Sequence, residues 1–73
     1  MIKNMEEIKG KWYNIIGKDG NIRIAGIGYL YGVNVFSGKS NEEMHLNEIR
    51  RHTGEGESLV LIEEKSYGIV EAD

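Results

Sequence analysis

The residues best equipped for chemistry are His45, Glu48 and His52. On a helix, their i, i+3, i+7 spacing puts two imidazoles and a carboxylate within about 60° of one another. Such a set could ligate Zn²⁺ or a similar divalent metal. The same residues lie between Met44 and Ile49, while Glu43, Asn47, Arg50 and Arg51 take the opposite side. They therefore border a buried face, where a histidine ordinarily packs with a hydrogen-bond partner. The expectation is no metal and no other cofactor, with this trio as the set to inspect.

Other groupings fail on spacing. Gly38-Lys39-Ser40 looks like the end of a phosphate-binding loop, but that loop needs a glycine five places earlier, where Val33 stands. Gly26-Ile27-Gly28 begins like a dinucleotide fingerprint, but Tyr31 occupies the third glycine position. Lys39, Arg50 and Arg51, with Tyr29 and Tyr31 on a nearby apolar segment, could stack and neutralise a single strand of nucleic acid. Glu42, Glu43, Glu48, Glu55 and Glu57 surround that basic group and favour a solvated helix end instead. No serine has a visible base or oxyanion site beside it, so no catalytic residues are assigned and no enzyme is expected.

The elements that must carry these residues follow from local signals. Ile2, Met5 and Ile8 recur at helical spacing, which suggests a helical turn or a weakly docked arm ending at Gly10. Trp12–Ile16 and Asn21–Ala25 read as strands joined through Asp19-Gly20, a strong hairpin signal. Residues 26–36 read as one long bent strand or two short ones, with bends at Gly26, Gly28 and Gly32. Ser40 or Asn41 can cap a helix over 41–52, with Glu42 and Glu43 at its start and Arg50 and Arg51 near its end. The competing reading there is a strand through Met44-His45-Leu46. Ser58–Glu63 and Tyr67–Glu71 read as a second hairpin turning at Glu64-Lys65-Ser66. Together these give an α+β domain, with a curved antiparallel sheet of four to five strands and one helix near 41–52. An SH3-like small β-barrel would use the same strands.

The chain has 73 residues, which makes one small domain over 1–73 with a thin stability margin. Ten glycines, no proline and no cysteine reduce that margin further and leave no disulfide to compensate. Trp12, the only tryptophan, is the expected core anchor of the first hairpin. The net charge of −3 disfavours nucleic acid as a partner. No apolar run reaches the roughly 18 residues of a membrane span, and Glu6 and Glu7 stand where a signal peptide is apolar. A cytoplasmic protein with no membrane partner is the expectation. The abundance of Lys, Asn, Ile and Glu, with only Ala25 and Ala72 as alanines, resembles small prophage-encoded proteins of Bacillus-like bacteria.

The functional expectation is a non-enzymatic protein-interaction module, phage or prophage encoded. It would bind itself as a homodimer and also a further, unidentified protein partner. Undefended sheet edges and the need for buried area point to a two-fold dimer, with Tyr29, Tyr31, Ile69 and Val70 at its interface. The alternatives are a small nucleic-acid-associated regulator and a metal-binding module using His45 and His52.

Overall fold

A computed structural model describes residues 4–72. Three long strands and one helix follow in the order β1 (Asn4–Ile16), β2 (Ile22–Asn34), α1 (Glu42–Arg50) and β3 (Ser58–Ala72). The sheet is antiparallel with strand order β2-β1-β3, so β1 is central. The α+β class holds, but the sheet has three strands rather than four to five. It is open, not an SH3-like barrel, with β2 and β3 as its two edges.

The first hairpin forms where its turn chemistry requires. Gly20 adopts φ 83°, its N–H bonds the Gly17 carbonyl at 3.0 Å, and Asp19 Oδ1 accepts the Asn21 N–H at 3.0 Å. That hydrogen bond to Asn21 holds the Asp19 carboxyl below the usual carboxylate range. Both strands run well past the predicted ends. The segment read as a helical turn continues β1 back to Asn4, because β2 and β3 both offer it partners. Ile2 lies outside the described residues. Residues 26–34 complete β2, with Gly26 at φ 67° in a bulge opposite Asn14, whose side-chain oxygen accepts the Gly26 N–H at 3.1 Å.

The second hairpin does not exist. Residues 58–72 form one strand, paired with β1 along its length: Ile15↔Leu59, Lys11↔Glu64, Lys9↔Ser66 and Glu7↔Ile69. Two bulges absorb the mismatch. One is at Ile62, the other at Tyr67-Gly68, where Gly68 takes φ 88°. Glu64-Lys65-Ser66 offers no residue suited to a tight hairpin turn, and cross-strand pairing keeps the segment extended.

Helix α1 forms inside the predicted bounds and excludes the strand reading of 44–46. Its start is fixed by tethers more than by the expected cap. Ser40 Oγ accepts the Glu42 N–H at 3.1 Å, and Asn41 Oδ1 accepts the Gly32 N–H of β2 at 3.2 Å. At its other end Thr53 Oγ1 donates to the Arg50 carbonyl at 2.6 Å.

Alternation along the strands divides the sheet into two faces. One carries Tyr13, Tyr29 and Tyr31, and α1 lays Ile49 and Leu46 over them. Ile27, Val33 and Leu59 fill the edges of this core, and Ile15 is fully buried. The other face has no helix over it. Trp12 lies there, half-buried and outside the core cluster, so its predicted role as core anchor is corrected. Its indole rests on two glycines: a Cβ at Gly10 or Gly28 would come within 2.3 Å of the ring. Tyr67 closes one side, with its ring centroid 6.3 Å away in an edge-to-face arrangement.

The molecule is long and thin, 54 × 18 × 15 Å. Its radius of gyration is 15.0 Å, against about 11 Å for a compact chain of this length. Its accessible surface is 5113 Å², against about 4,600 Å² for a compact monomer of this mass.

Candidate interaction surface

The covered face holds an aromatic ladder. Tyr29 stacks on Tyr13 at 6.2 Å and on His45 at 5.8 Å between ring centroids, and tilts against Tyr31 at 5.6 Å. Burial raises the Tyr29 phenol well above its usual range, with the Tyr13 phenol adding to the effect. The Tyr29 hydroxyl is buried and makes no hydrogen bond. Burial also raises Tyr31, whose hydroxyl donates to Glu64 Oε1 at 3.3 Å.

An ionic clamp ties this face together. Lys11 on β1 donates to Glu42 at the start of α1, with Glu64 of β3 4.0 Å away and the Tyr31 ring 5.9 Å away. The Glu42 hydrogen bond holds the Lys11 ammonium above its ordinary range despite partial desolvation. Nothing local in the sequence marks this cluster, because Glu42 stands 31 positions from Lys11 and Glu64 lies farther still along the chain. A second clamp fixes the loop after α1: Glu57 accepts from Arg23 Nε at 2.5 Å and from the Gly54 N–H at 2.7 Å. Arg23 also donates to the His52 carbonyl. The Arg23 bond, then the Gly54 bond, holds the Glu57 carboxyl below its usual range.

These groups set an alkaline limit. Lys11, Tyr29 and Tyr31 all have folded pKa values above their unfolded ones. Their contribution is complete below the unfolded values, about pH 10, and is lost as pH rises through the folded ones. Melting temperature should therefore fall above about pH 10. Phenolate absorbance from Tyr29 and Tyr31 should appear together with unfolding. Ionisation of Tyr29 and Tyr31 before any loss of circular dichroism would contradict this.

The structure separates the predicted metal trio. His45 is held against Tyr29, Glu48 is exposed on α1, and His52 lies beyond the helix end, where its carbonyl holds Arg23. Among the described residues, no three His, Cys, Asp or Glu side chains come together to hold a metal. The nucleic-acid platform is also dismantled. Tyr29 and Tyr31 are buried under α1, and Arg50 is engaged by Glu43 at 3.3 Å. A shallow concavity of about 550 Å³ beside the first turn is lined by Lys18, Asp19, Arg23 and Glu57 and brings no nucleophile to a base.

The four predicted interface residues divide the same way. Tyr29 and Tyr31 are 9% and 4% exposed and belong to the core, so they are corrected as contact residues. Ile69 and Val70 are exposed on β3. They belong to a larger set that the predicted hairpin concealed: Val60, Leu61, Ile62, Tyr67, Ile69 and Val70 are each 45% or more exposed. All six lie on a 15-residue strand that, among the described residues, pairs with another strand on one side only. Leu30, near Trp12, and Phe36, beyond β2, add further exposed apolar area. Among the described residues, no helix is long and apolar enough to cross a membrane. Comparison with protein-family models, curated proteins and solved structures gave no match.

Proposed function

We propose that the chain is a non-enzymatic protein-interaction module that works by adding a strand to its sheet, and that its first partner is a second copy of itself. The observation that carries this reading is the outer edge of β3. Among the described residues no strand pairs with the outer side of this 15-residue strand, where alternate residues point their N–H and C=O groups outward beside six exposed apolar side chains. An open edge of that length is a template for another strand. The excess surface over a compact monomer of the same mass is consistent with a partner that covers part of it. The composition supports a phage or prophage origin, and a cytoplasmic setting suits a chain without cysteine.

The edge reading is tested by a variant carrying both Leu61→Lys and Ile69→Lys. Both side chains are about half exposed, so the fold should survive, as judged by circular dichroism. On size exclusion the variant should elute later than wild type at equal concentration. Equal elution of both would remove β3 as the working surface.

A further inference from the structure

We propose that β3 pairs with β3 of a second copy about a two-fold axis through Lys65, forming a continuous six-stranded sheet. This rests on the self-association reading and specifies its geometry. A two-fold axis perpendicular to an antiparallel pair matches residue i with residue 130 − i when it passes through position 65. The strand is self-complementary about that point. Leu61 then faces the partner's Ile69 on the helix-bearing side, and Val60 faces the partner's Val70 on the open side. The bulge at Ile62 falls opposite the partner's Gly68, so the two irregularities coincide and every pair shares a face.

The matched apolar pairs and the coincident bulges select this register. Lys65 faces the partner's Lys65 on the axis, and each lysine lies 3.3 Å from its own Glu63 and diagonal to the partner's Glu63, so two glutamates offset the lysine pair. Shifting the axis to Ser66 places Glu63 against the partner's Ile69. Shifting it to Glu64 places Leu61, on the helix-bearing side, opposite the partner's Tyr67, which packs on Trp12 on the open side. Charges in the middle of an edge ordinarily repel foreign strands. Here the mixed signs leave room for a strand of matching pattern, and a slipped register is penalised by the side chains it moves to the wrong face.

The absence of native cysteine allows a direct test by single-cysteine variants of the full chain. Directly opposed residues of an antiparallel pair have Cα atoms about 4.5–5.5 Å apart, within disulfide range. Lys65→Cys should therefore oxidise to a covalent dimer at least about tenfold faster than Leu59→Cys, whose two copies would lie about 40 Å apart. Mixing Leu61→Cys with Ile69→Cys should give the mixed dimer in preference to either homodimer. Sedimentation of the reduced variants accompanies the reaction. Dimers that cross-link no faster at 65 than at 59, or no mixed 61–69 product, would overturn the register while leaving self-association intact. Reduced variants and wild type that are monomeric throughout would overturn both.

Discussion

Tyr29→Ala is expected to remove about 3–5 kcal/mol of stability, the cost of deleting a buried aromatic ring that its surroundings cannot replace. A domain of this length has only about 4–11 kcal/mol in total. The variant should therefore be largely unfolded well below the wild-type melting temperature. Tyr29 earns this rank by position: its ring touches Tyr13, Tyr31 and His45, and Ile49 closes the same cluster from α1. Tyr29→Phe gives the contrast. It keeps the ring and deletes a buried hydroxyl that makes no hydrogen bond, so it should be neutral or stabilising. Chemical denaturation of the two variants checks both expectations. A Tyr29→Phe variant as damaged as Tyr29→Ala would mean that the hydroxyl has a partner the geometry does not show.

Gly10→Ala and Gly28→Ala are expected to destabilise by about 1–3 kcal/mol each through overpacking. In both, the new methyl would occupy the space of the Trp12 indole, and at Gly28 it would also meet the Lys11 carbonyl oxygen at 2.8 Å. Neither glycine has a positive φ, so backbone strain does not contribute. Trp12 is the sole tryptophan, and its emission should shift to the red as the ring is pushed into water. Unchanged emission together with unchanged stability would show that the ring has room to turn. The two effects should not add, because both substitutions displace one ring.

Short-range chemistry in the sequence was legible, and long-range pairing was not. The Asp19-Gly20 turn and the acidic-to-basic order of 42–50 depend on neighbours a few positions apart, and both elements formed where expected. The glycines of residues 26–32 suggest bends, but only Gly26 serves as one. Gly28 is a seat for Trp12, a role fixed by the cross-strand pair Trp12↔Gly28. The length of β3 was hidden for the same reason. Glu64 and Ser66 look like turn residues until Lys11 and Lys9 stand opposite them. The size of Trp12 points to the core, but alternation puts Tyr13 on the helix-covered face and Trp12 on the other. Tyr29 and Tyr31 looked like surface contacts because the sequence does not say which strand α1 covers. Ile69 and Val70 were found as exposed apolar residues. Leu61 and Val60, exposed on the same strand, are concealed by the turn-like composition of 64–66.

Sedimentation equilibrium of the wild-type chain from micromolar to millimolar concentration is the most direct test of the central claim, self-association through the β3 edge. The expected result is a weight-average mass that rises with concentration from 8.3 kDa toward twice that value and levels there, as a closed two-fold pair requires. A mass fixed at 8.3 kDa across the whole range would contradict it.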